Sequence, residues 1–366
     1  MNLKINPIIH AQTKVSYAME STSSQSYEID CGEGINLVMI PPKAQEAFNE
    51  LTFDMLRPYP HSSNIKDSIK TYWKTQNALT NRQIILCDGS ISALYLINRL
   101  FLEKGDFVMG YVPQFSEYET DVKMYGAIFE GIPLSPNDNF HFYGKKLIEK
   151  LSDKYKLVYL DNPNNPTGQV ISLAEIEKIL ITAQKSGIAV IVDEAYGDYM
   201  PKENSAITLC KKYDNLIVVR TFSKGFGLAG LRAGYLIVPK QLTDSISNIT
   251  NPYTMSELSR SVAAKTIMDE TFLGDLQTKT AQIKIRLYQP WKNISIAETC
   301  DTVSICLLTH KNPDIDLATE FAKRGILVIS GNDFYSISKN SVRFRVPESK
   351  DMDTVLNVLS EIDRQD

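Results

Sequence analysis

The 366-residue sequence predicts an α/β protein, with a large domain on a mostly parallel sheet and a smaller α+β C-terminal domain. Short apolar runs at residues 84–87, 107–112, 157–160, 188–192 and 216–219 alternate with helically spaced stretches such as 92–102 and 173–185. Runs that are apolar throughout suit strands of a parallel sheet covered on both faces. Each run ends in a short loop, at residues 88–90, 113–115, 161–168, 193–196 and 221–224. Loops beyond the carboxyl ends of strands are where such sheets hold ligands. After about residue 245 the pattern changes. Residues 256–268, 314–323 and 350–362 have helical spacing, and 302–308, 325–329 and 341–346 read as strands. The expected division is a large domain at 44–245, with 1–43 joining 246–366 in the small one. Residues 17–27, rich in Ser and Thr, are the expected mobile stretch.

Composition narrows the ligand class. Hydrophobic residues make up 43% and charged residues 22%, ordinary values for a globular chain. A net charge of -4 is wrong for bulk electrostatic binding of nucleic acid and leaves small molecules as the natural ligands. The cysteines at 31, 87, 210, 300 and 306 are scattered and form no CxxC pair, so neither a zinc site nor a disulfide framework is expected. The first 14 residues lack a signal peptide's apolar run, and no stretch approaches the length needed to span a bilayer. A cytoplasmic location is the expectation, with no membrane partner and no metal.

Three loop motifs carry chemistry. Asn162-Pro163-Asn164-Asn165-Pro166-Thr167-Gly168 follows one strand; its two X-Pro steps and terminal Gly fix a rigid turn that can aim an Asn side chain. A plain Asn-rich turn is the bland alternative. Asp193-Glu194-Ala195-Tyr196 follows another strand, placing a carboxylate and a phenol to meet a cationic ring and its phenoxide oxygen; a helix-capping Asp with an incidental Tyr is the other reading. Thr221-Phe222-Ser223-Lys224 follows a third strand, with Arg232 eight residues on. Two hydroxyls, an amine and a guanidinium suit a phosphorylated aldehyde, whereas a solvated surface Lys would not account for the apolar, Gly-rich stretch between Lys and Arg. That stretch, Gly225-Phe226-Gly227-Leu228-Ala229-Gly230, matches GxGxxG. The acidic residue that a dinucleotide site needs about 20 positions on is Ile249-Thr250-Asn251 instead, so that reading fails.

Together the motifs resemble the class I/II aminotransferases of fold type I, which depend on pyridoxal 5'-phosphate. Chain length and Arg57-Pro58-Tyr59-Pro60 look most like the histidinol-phosphate aminotransferases and threonine-phosphate decarboxylases. The resemblance implies a Schiff base on Lys224 and Asp193 against the pyridinium nitrogen. It places Asn165 and Tyr196 on the 3'-oxygen and Phe115 stacked on the ring. Ser90, Ile91, Thr221, Ser223 and Arg232 would bind the phosphate, joined by Tyr59 of a second subunit in a homodimer. Physically, carbanion chemistry needs a protonated ring held by an ionised acid, and a near-dianionic phosphate suits a guanidinium and a helix N-terminus. The freed Lys224 amine would then move the proton.

For the substrate, Arg343 and Arg345 lie two apart in a strand-like segment and so share a face. The family pattern gives the α-carboxylate to Arg343 and leaves Arg345 to extend the anion site or pair with an acid. Asn36 is the expected substrate-side residue of the N-terminal segment, although Leu37 replaces the usual Pro after it. Subfamilies acting on phosphate esters carry an Arg where this chain has Ile329 and Ser330. His61 reads as a surface residue or a substrate contact. The implied reaction moves an α-amino group between an amino acid and a 2-oxo acid through pyridoxamine phosphate. Decarboxylation, elimination or oxidation on the same machinery, and a non-catalytic cofactor-binding homologue, are the alternatives.

Overall fold

The computed structural model describes residues 3–15, 27–62 and 64–365. Most of the stretch expected to be mobile lies outside the described residues. In chain order the strands are β1 (Ile29–Asp30), β2 (Ile84–Cys87), β3 (Phe107–Val112), β4 (Ile128–Pro133), β5 (Tyr155–Asp161), β6 (Ala189–Asp193) and β7 (Leu216–Thr221). There follow β8 (Gly234–Ile237), β9 (Ile294–Ile296), β10 (Ile305–His310), β11 (Ile326–Leu327), β12 (Ile329–Ser330) and β13 (Ser341–Arg345).

The large sheet runs β2-β8-β7-β6-β5-β3-β4. It is parallel from β4 through β7, while β8 pairs antiparallel with both β7 and β2. Its central strands have no solvated face. On β5, Leu157 and Tyr159 join the core on one side while Val158 and Leu160 join the core on the other. On β6, Ile191 likewise opposes Val190 and Val192. Each such side chain contributes about 1.5–3 kcal/mol of burial, which is why residues 157–160 and 189–192 are apolar throughout. Helix Leu173–Lys185 covers the core of Val158 and Leu160 with Ile176, Ile179, Leu180 and Ala183; Ser90–Phe101 covers the core of Leu157 and Tyr159 with Ala93, Leu94 and Ile97.

A second sheet, β12-β13-β10-β9, is antiparallel, and β1 pairs with β11 beside it. Helix Met352–Ile362 packs into the separate core of this unit through Val355, Leu359 and Ile362. The packing boundary falls later than residue 245. Ala263 and Ile267, from and just after helix Glu257–Thr266, and Phe272 and Leu276 of helix Phe272–Lys284 belong to the large sheet's core. Residues 3–15 do not join the small sheet either: Lys14 pairs with Glu117, and the Val15 carbonyl accepts from Thr120 Oγ1 at 3.0 Å. Among the described residues, no helix is long and apolar enough to cross a membrane.

Candidate active site

At the carboxyl ends of β5, β6 and β7 lies a cavity of about 370 Å³, a size suited to a small cofactor with a substrate. Ser90, Ile91, Phe115, Asn165, Asp193, Tyr196, Ser223, Lys224 and Arg232 all line it. The fold thus gathers residues from five separate loops.

Asp193, the last residue of β6, is buried. Its Oδ2 accepts from Tyr159 Oη at 3.0 Å and its Oδ1 from the Ala195 N–H at 3.0 Å. The Tyr159 ring is stacked on Tyr118 with centroids 3.8 Å apart. Burial first, and then the neighbouring Asp161 carboxylate, push the Asp193 carboxyl up to about 7. A cation beside it would reverse that shift. Lys224 sits in a turn held by its own carbonyl, which accepts from the N–H groups of Asn36 and Gly227, each at 3.0 Å. Its Nζ lies 5.5 Å from the centre of the Tyr196 ring. Tyr196 Oη is buried without a partner, an oxygen that a ligand in the cavity would satisfy.

The phosphate end is a cradle of backbone and guanidinium. Gly89, with φ of 84°, precedes helix Ser90–Phe101 and caps it with no side chain, so the first N–H groups remain available to an anion. A Cβ on Gly89 would stand 2.6 Å from Arg232 Nη2, so glycine is what lets the guanidinium approach the helix start. Arg232 itself has the left-handed φ of 49°, a conformation costing on the order of 1–3 kcal/mol for a non-glycine residue. Donors, orphaned phenol and buried acid together fit pyridoxal phosphate.

Two sequence-predicted residues, Thr221 and Asn36, stand differently from expectation, while Tyr59 and His61 lie at the surface. Thr221 does not line the cavity; buried behind Ser223, its Oγ1 donates to Ser223 Oγ at 2.9 Å and so orients it. Asn36 is no substrate ligand. Its Nδ2 donates to the Met39 and Gly225 carbonyls at 2.7 and 3.0 Å, and its Oδ1 accepts from Val38 and Met39, which commits the side chain to backbone. Its position makes it a brace for the Lys224 turn. Tyr59 is 69% exposed, stacked on Tyr253 at 4.5 Å, and outside this chain's own cavity. His61 is exposed and meets Tyr253 edge-on.

Arg343 and Arg345 are both 1% exposed and diverge in role. Arg343 Nη1 donates to Asn165 Oδ1 at 3.2 Å, which ties it to the cavity wall. Arg345 is engaged by the Asp30 and Val346 carbonyls and lies 4.0 Å from the Asp30 carboxylate, so it pairs with an acid rather than extending the anion site. Sequence reasoning missed Lys14, Tyr95, Glu117 and Asp161, which also line the cavity. Glu117 Oε1 accepts from Tyr95 Oη at 2.9 Å and pairs with Lys14 at 2.9 Å. No local spacing announces a triplet drawn from residues 14, 95 and 117. Asp161 closes a strand directly before the Asn-Pro motif, and that position was the one available signal.

Comparison with known proteins agrees with this geometry. The family described as "Aminotransferase class I and II" matches residues 28–359. The chain is 31% identical over 302 residues to histidinol-phosphate aminotransferase 2 of Carboxydothermus hydrogenoformans, covering 82% of each. It is 28% identical to histidinol-phosphate aminotransferase of Ruminiclostridium cellulolyticum, covering 88% of this chain and 89% of that one. Among solved structures, histidinol-phosphate aminotransferase from Sinorhizobium meliloti in complex with pyridoxal-5'-phosphate superposes with a TM-score of 0.81 at 19% identity. That match covers 100% of this chain and 98% of the other, and it speaks to the fold. The chain belongs to the class I and II aminotransferase family, and it is a fold type I aminotransferase that depends on pyridoxal phosphate.

Proposed function

We propose that the amino donor is an unphosphorylated amino acid whose α-carboxylate meets Arg343, and that a 2-oxo acid takes the amino group. The observation that carries the residue assignment is the convergence of Lys224, Asp193, Asn165 and the unpartnered Tyr196 Oη on one cavity. When bound, pyridoxal phosphate supplies an electron-withdrawing ring that stabilises negative charge at the substrate's Cα. Asp193 holds the positive charge at the ring nitrogen, and Asn165 with Tyr196 donates to the 3'-oxygen. Phe115 excludes water from one ring face. Ser90, Ser223, Arg232 and the Ile91 N–H bind the phosphate, with Thr221 behind them. The Lys224 amine would serve as general base for the proton at the substrate's Cα.

Relatives named for histidinol phosphate make that ester the natural competing substrate. Against it, this chain carries Ile329 and Ser330 where the phosphate-ester subfamilies it resembles carry an Arg. Lys14 is the one further cationic side chain among those lining the cavity, and it is already paired with Glu117.

We place the enzyme in the cytoplasm as a homodimer whose second copy brings Tyr59 to the phosphate. The five cysteines are all free, as a reducing compartment would keep them. Phe53 at 78% and Leu56 at 55% exposure lie close to Tyr59 in sequence, an apolar surface that a second copy would cover.

The test mixes purified holoenzyme with each common amino acid, with histidinol phosphate and with phosphothreonine, and identifies products by mass. A 2-oxo acid from an unphosphorylated donor is expected. Carbon dioxide or ammonia as the main product would replace transamination by the alternative chemistries, and a strong preference for a phosphate ester would overturn the substrate class. Lys224→Ala should abolish the visible absorbance of the lysine-bound cofactor; a wild type that stays colourless in saturating pyridoxal phosphate would sink the assignment of Lys224.

A further inference from the structure

Asp161 ends β5 beside Asp193 of β6, its register partner, and its side chain lines the cavity while the residue is 3% exposed. The carboxylate joins two loops. Its Oδ2 accepts the N–H of Phe115 at 3.2 Å and the N–H of Asn165 at 3.0 Å. Its Oδ1 accepts from Asn164 Nδ2 at 3.0 Å. Asn164 cannot turn over to present an acceptor instead. Its Oδ1 already accepts from Thr167 N–H at 3.1 Å and Thr167 Oγ1 at 2.6 Å, and its Nδ2 also donates to the Pro113 carbonyl at 3.1 Å. Three donors therefore converge on Asp161. Among side chains of this length only a carboxylate accepts on both arms; an amide would set an N–H₂ against a donor.

The two residues whose backbones it grips, Phe115 and Asn165, are those placed on the ring face and at the 3'-oxygen. We propose that Asp161 is a positioning residue that fixes the separation of Phe115 and Asn165 and so sets how tightly the cofactor ring and its 3'-oxygen are held. The inference rests on the cofactor placement given above. A hydrogen bond to an ionised acceptor is stronger than one to a neutral oxygen, which suits a carboxylate to clamping two loops. A mispositioned Asn165 would donate less well to the 3'-oxygen, and the lysine-bound cofactor would then keep its proton to higher pH.

Asp161→Glu separates position from charge, because it keeps the carboxylate and moves both oxygens outward by one methylene. Purified D161E, compared with wild type by circular dichroism, is titrated with pyridoxal phosphate, and the visible band is followed against pH. A positioning role predicts affinity weaker by about tenfold, the worth of one charge-assisted hydrogen bond, and a spectral midpoint raised by about one pH unit. Wild-type affinity and midpoint would overturn the proposal. Should D161E fail to fold, Asp161→Asn decides through affinity alone: at least a tenfold loss is expected, and unchanged affinity overturns the proposal. A wild type with no visible band would instead defeat the cofactor placement, so the two failures are distinguishable.

Discussion

Arg343 shows what a single buried charge does here. It is 1% exposed and reaches the cavity wall through Asn165. A guanidinium can meet a substrate carboxylate with two parallel N–H donors, worth roughly 3 kcal/mol in such a site. Arg343→Ala should therefore raise KM for the amino-acid donor by about a hundredfold. Cofactor affinity, read by titration of the visible band, should change little. Unchanged KM would move the carboxylate site elsewhere. Arg345 would fail the same test, since its partners are Asp30 and the Val346 carbonyl. Spacing put both arginines on one face and the family pattern favoured Arg343, but the choice between Arg345's two roles waited on the structure, because its partner Asp30 comes from the N-terminal segment.

Elements deliver these residues only if they begin and end in register. Helix Leu173–Lys185 opens on Ser172, whose Oγ accepts from the Glu175 N–H at 3.3 Å, and Ser-x-x-Glu is a capping-box pattern. Ser172→Ala should cost about 1 kcal/mol in global stability, measured by urea denaturation, and leave the visible spectrum as in wild type. A changed spectrum would mean that the helix start influences the cavity directly. Elements with strong local patterns were legible: β2 and β3 span the expected residues, and this helix does too. Two large-sheet strands were not predicted. In β4, Ile128 and Gly131 are exposed and the burial pattern is irregular; β8 is short and begins with Gly. β4 lacks the dense apolar run that identifies a strand fully covered on both faces; β8 does carry one at residues 235–238, directly after the Gly-rich loop, and it was missed.

On the scale of the whole molecule, buried acids couple folding to cofactor. Burial raises Asp193 from 3.8 to about 7 and Asp161 from 3.8 to about 6. Between those limits the folded chain binds more protons than the unfolded one. Stability of the cofactor-free protein therefore falls as pH rises from about 4 to about 7. A cation held against Asp193 restores its ionised form and removes that penalty. The Tm gap between holoenzyme and apoprotein should therefore widen from pH 5 to pH 7.5, measured by calorimetry. A constant gap would mean that Asp193 gains no positive partner from the cofactor.

By itself the sequence determined the α/β class, the cofactor and the residues contiguous with each strand end. Those signals are local: a buried strand must be apolar, and its following loop carries the chemistry within a few residues. Only the tertiary structure decided that Asn36 braces the Lys224 turn, that Thr221 stands behind Ser223, and that Lys14, Tyr95 and Glu117 share a wall. It also showed one carboxylate, Asp161, holding loops 50 residues apart, at Phe115 and Asn165. Hydrogen-bond satisfaction in a buried site depends on every donor that packing brings near, and no spacing along the chain records it.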